Sequence, residues 1–435
     1  MAFTSPQGTS DILPADHDYF NFITKVVRYR FRQAGFQRIA VPAFEETALY
    51  EQALGLDTKI ISSELYTFTD PRGRSLSLRP EITPGIVRSF IEHHMDEQAL
   101  PQELYYIDRV WRYQRLKSGT KREFWQFGGE VLGETDPAID AQLIYLGHRI
   151  LRDLSVRDLV ELRINTLGSH EDRVKYFEAL QNFYTGKERA LTPGSREMLQ
   201  QRRYLQLLDP KSEDEEILLQ MAPKMLDFLS KKSRDLYEQM RRYLEMFEIP
   251  YTLDPTLVRP VEYYNHTVFE FRKTGTRQKI LVGGRYDGLI EQLGGQGLGG
   301  AGFQCGMERT IDLMLEKKVA VPKKGYIQIF VAATGNEAKR HALPLLVQLR
   351  EHGLHAVGAM GNTSMIEQLQ RAQKFRVPYT LLLGDTEVEN GTVLLREMKR
   401  GRSEEIPRER LLEHLDSLLT VDKPLDTTLE FLGHA

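Results

Sequence analysis

The chain has one cysteine, Cys305, among its 435 residues. An intramolecular disulfide is therefore excluded, as is a zinc or iron–sulfur site built from several thiolates. No apolar run approaches the roughly 20 residues needed to span a bilayer. The first twenty residues also lack the basic-then-apolar pattern of a secretory leader. A cytoplasmic protein without membrane contact is the expectation. A dominant charge is missing too: 58 Lys and Arg stand against 61 Asp and Glu, a formal net of -3. A nucleic-acid partner would have to be gripped by local basic patches and specific contacts, since the molecule as a whole is no polycation. Internal repeats and low-complexity tracts are absent as well. Hydrophobic residues make up 41%, which places the chain among ordinary globular proteins, long enough for two or three domains.

The most informative stretch is RVWRYQRLKSGTKREFWQFGGEV, residues 109–131. Its first part is rich in Tyr, Ile, Val and Trp and reads as a strand over 104–113. A basic loop over 114–122 contains Ser118, Gly119 and Thr120, which tolerate turning. A second strand resumes at Glu123. Strand side chains alternate faces, so Phe124, Gln126 and Glu130 share one side while Glu123, Trp125 and Phe127 share the other. With Arg112 near the end of the facing strand, one face offers a cation, a flat ring, an amide and a carboxylate. Such a face suits a nucleotide and a small polar ligand. An amphipathic hairpin with a wet face explains this stretch equally well.

Around the hairpin, GTSDILP (8–14) reads as a turn-rich segment, and apolar residues at helical spacing predict a helix over 15–34 closed by Gly35. Short strands follow at 36–41, 65–69 and 76–78. The last leads into Arg79-Pro80-Glu81-Ile82-Thr83-Pro84, an acid and a hydroxyl at a strand end. Helices are expected at 85–94 and, capped by Asp136-Pro137, up to 154, before a strand at 160–164. From 170 to 249 Lys, Arg, Glu, Gln and Leu dominate, which predicts a helical insertion. Its basic residues are expected mostly to solvate helix faces. Strands return at 267–272 and 279–282. A glycine cluster over 294–302 implies close backbone approach or positive φ, and a helix then runs to Glu316. It lacks the lysine and strand context of a phosphate-binding P-loop. After a basic linker, strands at 327–332, 355–357, 379–383 and 392–397 alternate with helices at 337–352, 365–375 and 408–415. That pattern predicts a separate α/β domain over 326–423.

Polar groups thus gather at four places: Glu81 and Thr83; Arg112 to Glu130; Arg259 to Tyr264; and Gly302 to Arg309. Here the chain resembles the class II aminoacyl-tRNA synthetases, and within them the histidyl-tRNA synthetase family. GFQRIAVPAFEE is similar to the first class motif, RVWRYQRLKSGTKREFWQFGGEV to the second and GFQCGMERTI to the third. VRPVEYYNHTVFEF resembles a motif of histidine-specific members, and LLLGDTEVENGTVLLREM matches the C-terminal domain.

The resemblance implies a class II fold: a catalytic domain over 1–322 with an antiparallel sheet flanked by helices, the insertion at 170–249, and a C-terminal α/β anticodon-binding domain. It implies activation of histidine by ATP, transfer to the tRNA 3′ end, and a homodimer through the first motif. Arg112 and Arg259 would be catalytic, both at the α-phosphate. ATP would also meet Gln114, Phe124 and Arg309. Histidine would meet Glu81, Thr83, Gln126, Glu130, Tyr263 and Tyr264. Arg115, Lys117, Lys121 and Arg122 would form the loop facing the tRNA acceptor stem. No protein metal site is implied, and Mg2+ would be held mainly by the triphosphate. Two departures stand out. Pro260-Val261-Glu262 replaces the usual Gly-Leu-Asp, and Gln114 replaces the usual Glu. The competing readings are a catalytically inactive paralogue, the histidine-sensing regulatory subunit of ATP phosphoribosyltransferase, and a tRNA-binding module without chemistry.

Overall fold

The computed structural model describes residues 3–116, 120–259, 261–322, 327–358, 361 and 363–419. The chain divides into two compact units, Met1–Pro322 and Lys323–Ala435. No described helix is long and apolar enough to cross a membrane.

The first unit is built on an eight-stranded sheet. Its strands in chain order are β1 (Gln37–Arg38), β2 (Gln102–Trp111), β3 (Glu123–Leu132), β4 (Val160–Thr166), β5 (Thr252–Leu253), β6 (Asn265–Lys273), β7 (Lys279–Arg285) and β8 (Gly300–Gly306). Across the sheet the order is β1-β2-β3-β8-β7-β6-β4-β5. The six inner strands pair antiparallel, while β1 and β5 add parallel edges. The expected hairpin is β2 and β3, with Glu130 opposite Leu104 and Gln126 opposite Asp108.

Alternation gives this sheet two different faces. One carries Tyr105, Phe127, Val131, Phe269, Phe271, Leu281, Phe303 and Cys305, all buried in a single cluster. Helices α1 (His17–Gln33), α3 (Pro137–Asp153), α5 (Lys231–Met246) and α6 (Met307–Glu316) cover it, with Val27, Phe31, Ile144, Ile150, Met240 and Met314 wholly buried. Burying each such side chain contributes about 1.5–3 kcal/mol. The other face carries Phe124, Gln126 and Glu130. It is roofed by α2 (Thr83–Glu92), whose Ile86, Val87 and Phe90 are buried, and by Tyr263, Tyr264 and Tyr286.

The insertion is built from helices: α4 (His170–Tyr184), Pro193–Gln200, Glu213–Gln220 and the covering helix α5. It holds a core of its own around Tyr176, Leu180, Tyr184, Leu207 and Leu208. The second unit is a five-stranded sheet in the order Ala356–Gly358, Ile329–Ala333, Tyr379–Leu383, Thr392–Glu397, Ser403–Pro407.

Several local expectations need correction. Thr83 does not end a strand: it opens α2, with Pro84 in the first turn, where the missing N–H costs nothing. Of 36–41, only Gln37 and Arg38 pair within the sheet. The helix Asp385–Asn390 and the strand Ser403–Pro407 gave no clear signal, being short and highly polar.

A buried ion pair fastens the sheet to the helix layer. Arg285, at the end of β7, meets Asp140 of α3 at 2.6 Å, and both side chains are 3% exposed. The same guanidinium donates to the carbonyls of Glu134 and Asp136 at 3.0 Å. Removing one partner of such a pair strands the other charge, at a cost of about 3–5 kcal/mol. Because Asp287 also meets this guanidinium at 3.1 Å, Asp140→Ala is expected to lower the unfolding free energy by the lower end of that range, about 3 kcal/mol. The test is urea denaturation followed by tryptophan fluorescence, which reports this unit alone because the chain's two tryptophans are Trp111 and Trp125. Asp140→Ala with Arg285→Met should recover much of the loss.

Candidate active site

Glu130 lies on β3 and is 2% exposed. Its Oε1 accepts from Thr83 Oγ1 at 2.8 Å and its Oε2 from the Tyr286 hydroxyl at 2.5 Å. Gly302 is directly opposite on β8. A Cβ there would run into the Glu130 carboxylate, so this glycine supplies the room the acid needs. Close approach was the alternative implied for the cluster, and here it applies. Burial pushes Glu130 up to about 8, against the lowering effect of its two hydrogen bonds, and the charge of Glu81 adds to the rise.

Glu81 precedes α2 and is also 2% exposed. It accepts a hydrogen bond from the Tyr263 hydroxyl and lies 3.8 Å from the Arg112 guanidinium. Tyr263 packs on Tyr264 with ring centroids 4.5 Å apart, and Tyr286 meets Tyr263 edge-on at 5.6 Å. The Tyr106 hydroxyl and Gln126 Oε1 are buried nearby on the same sheet face, and neither has a hydrogen-bond partner among the described residues. Buried groups left unpaired are costly, which makes both candidates for a ligand's polar atoms.

The cations lie beside this pocket. Arg112 donates Nε to the Pro80 carbonyl at 2.8 Å, and its guanidinium is 5.8 Å from the Phe124 ring centroid. Arg259 is 7% exposed and lies over the Tyr264 ring at 5.2 Å. Arg309, in the first turn of α6, donates Nη1 to the Lys279 carbonyl at 2.8 Å. Burial lowers the Arg309 pKa, and the charge of Arg112 lowers it further. Two guanidinium groups therefore sit close enough to repel.

The expected loop residues are placed differently. Lys121 donates to Ser10 Oγ at 3.0 Å. Arg122 stacks on Tyr113 at 3.8 Å and packs against Gly8, whose φ is +89°. Gln114 donates its side-chain amide to the Lys121 carbonyl at 2.5 Å. Lys121 and Arg122 tie the loop to the N-terminal GTSDILP segment, and Gln114 ties the loop to itself. Arg115 is exposed. Lys117 and Pro260 lie outside the described residues.

Some contributors had no individual signal. Tyr286 carried no signal of its own in the sequence. Arg173 of α4 donates Nη1 to the Tyr264 carbonyl at 3.0 Å, linking the insertion to the tyrosine pocket. Glu308 accepts the Trp125 N–H with both oxygens at 3.1 Å, where β3 runs past the end of β8.

The structure thus places a buried carboxylate, three tyrosines and arginines near one another on this sheet face. Residues 8–310 match the family model described as Histidyl-tRNA synthetase, and residues 328–418 match the one described as Anticodon binding domain. The chain belongs to the histidyl-tRNA synthetase family. It is similar to the histidine–tRNA ligase of Halothermothrix orenii, 36% identical over 421 residues, which are 96% of this chain and 100% of that one. The histidine–tRNA ligase of Thermosynechococcus vestitus is 37% identical over 414 residues, 95% of this chain and 96% of that one. The crystal structure of apo histidyl-tRNA synthetase from S. aureus aligns with a TM-score of 0.79 at 31% identity, covering 95% of this chain and 99% of that one. The sheet and its helix layer are thus the class II architecture of the histidyl-tRNA synthetase family, and ATP is a substrate of that family.

The raised pKa of Glu130 has a direct consequence for stability. The acid holds its proton up to about pH 8 when folded but only to about 4.5 when unfolded. The unfolded state therefore loses its proton first, and stability from this group falls as pH rises from about 4.5 to about 8. Glu130→Gln cannot ionise. Its thermal midpoint minus that of the wild type should grow from pH 5 to pH 8 in histidine-free buffer. A difference that stays flat across that range would contradict the assignment.

Proposed function

We propose that this chain is a histidine–tRNA ligase whose adenylate-forming centre is the hollow between β3, the Arg259–Tyr264 segment and α6. The observation that carries the reading is that Arg112, Arg259 and Arg309 converge beside a pocket floored by a buried carboxylate. Each is anchored by a carbonyl or a ring, and Arg112 also lies 3.8 Å from Glu81.

In the first step an oxygen of the histidine carboxylate attacks the α-phosphorus of ATP. The bond from that phosphorus to the β-bridging oxygen breaks, and pyrophosphate leaves with the electron pair. Arg112 and Arg259 neutralise the charge gathering on the α-phosphate oxygens and hold the carboxylate in line. Arg309 meets the γ-phosphate and stacks on adenine opposite Phe124. The Gln114 side-chain oxygen accepts from the adenine amino group. In the second step the terminal ribose hydroxyl of tRNA attacks the carbonyl carbon of the adenylate, and AMP leaves. No covalent protein nucleophile is required.

Histidine is chosen by its ring. Glu130 and Tyr264 meet the two imidazole nitrogens, Tyr263 walls the pocket, and Glu81, Thr83 and Gln126 hold the α-amino group. A ring that donates to the buried Glu130 favours its charged form, which burial otherwise opposes, so analogues that lack the donor lose that compensation. The donors around the nucleotide are cationic, so Mg2+ is held mainly by the triphosphate oxygens. Arg115, Lys117, Lys121 and Arg122 face the acceptor stem, the latter two through the loop they brace. The C-terminal unit binds the anticodon. We place the enzyme in the cytoplasm as a homodimer joined through the first class motif. A histidine-sensing paralogue without activity gains no support from the ligase relatives.

The purified chain is expected to exchange labelled pyrophosphate into ATP only when histidine is present. Arg259→Ala should lower that exchange by about a hundredfold or more, with the thermal midpoint nearly unchanged. Exchange within a few-fold of wild type would show that Arg259 is misassigned, and none in the folded wild type would remove the ligase reading.

A further inference from the structure

Lys279 opens β7, which stays in regular register with β6 from Leu281 to Gly284. Leu281 pairs with Cys305 and lies in the helix-covered core. Two residues earlier, Lys279 would fall on that same apolar face. It does not, because the β6–β7 ladder shifts between Lys279 and Leu281: Lys279 pairs with Arg272, while Leu281 pairs with Phe271. The extra residue is Ile280, which is buried. A bulge of this kind re-aims the side chain before it. Lys279 thereby joins the face of Arg272 and Glu270, which the registers of β6, β7, β8 and β3 connect to Glu130 and Gln126.

Its surroundings there are unbalanced. Nζ is 3.3 Å from Glu270 Oε2, while Arg272 holds Oε1 of the same carboxylate. Arg309 is hydrogen-bonded to the Lys279 carbonyl, and the charges of Arg259, Arg272 and Arg309 all act on the amine. Against these cations stand Glu270 and, from the insertion, Asp209. Although 39% of the side chain is exposed, the amine has lost part of its hydration. A simple surface ion pair needs neither a bulge to turn the lysine inward nor three neighbouring guanidinium groups.

We propose that Lys279 is a further phosphate-binding residue of the nucleotide site, meeting the outer phosphates of ATP and the pyrophosphate that leaves. This rests on the ligase reading and deepens it. Desolvation, and the charges of Arg259 and Arg272 before the rest, bring the free amine down to about 8. A bound triphosphate favours the charged form and raises it again. ATP affinity in the wild type should then be steady below pH 8 and weaken as pH rises above it, since the amine must take up a proton to bind.

Calorimetric titration of the full chain with ATP, at pH 7 and pH 9, tests this. Lys279→Met should weaken ATP binding by about tenfold or more at pH 7 and flatten the loss between pH 7 and 9. Lys279→Arg should stay within a few-fold of wild type, and histidine affinity should be unchanged in both, which also shows that the pocket is folded. Near-normal ATP binding by Lys279→Met, or an equal loss of histidine binding, would overturn the proposal and leave Lys279 as a partner of Glu270 alone. Pyrophosphate exchange by the wild type separately decides the ligase reading.

Discussion

Like charges held close together repel, and the catalytic unit gathers several at one end of its sheet. What keeps them there is the backbone. Arg112 is tied to the Pro80 carbonyl and Arg309 to that of Lys279, while Arg259 lies over the Tyr264 ring. A guanidinium can spend one N–H on such an anchor and still present the rest. The repulsion is a standing cost to the free protein, and a polyanion relieves it. In the proposed reading this preorganises the site for a triphosphate, the condition for stabilising charge as it develops on phosphorus.

The neighbouring pocket follows the opposite logic. Its acid is buried with its hydrogen bonds satisfied by Thr83 and Tyr286, and the low-dielectric setting favours the neutral form. A ring that can donate or carry a proton is the ligand best able to compensate the charged form. Gly302 fixes how deep the carboxylate can sit, and the tyrosines fix the width. In the proposed reading chemistry and selection occupy one sheet face, with Arg112 lying 3.8 Å from Glu81.

Much of this was legible in the amino-acid sequence, and for physical reasons. The hairpin announced itself by strand-forming residues on either side of a basic turn, and period-two alternation placed Phe124, Gln126 and Glu130 on one face, as observed. The helix Met365–Phe375 and the strand Tyr379–Leu383 fall where periodicity put them. Alternation failed at Lys279, because a bulge is set by tertiary packing and leaves no mark in the residue pattern. Arg173 and Tyr286 were silent because their partners are far away in the chain. Lys121 and Arg122 were expected in a loop facing the acceptor stem, and both also brace the N-terminal segment. The individual roles of the site residues came from resemblance to known motifs; composition and spacing would not have assigned them.

The account reduces to one geometric claim, that nucleotide and amino acid meet between the arginines and the buried acid. A crystal structure with a non-hydrolysable histidyl-adenylate analogue examines it most directly. The account predicts the phosphate mimic between the guanidinium groups of Arg112 and Arg259, the adenine between Phe124 and Arg309, and the imidazole against Glu130. An analogue bound with its imidazole away from Glu130, or with its phosphate mimic touching neither Arg112 nor Arg259, would contradict it.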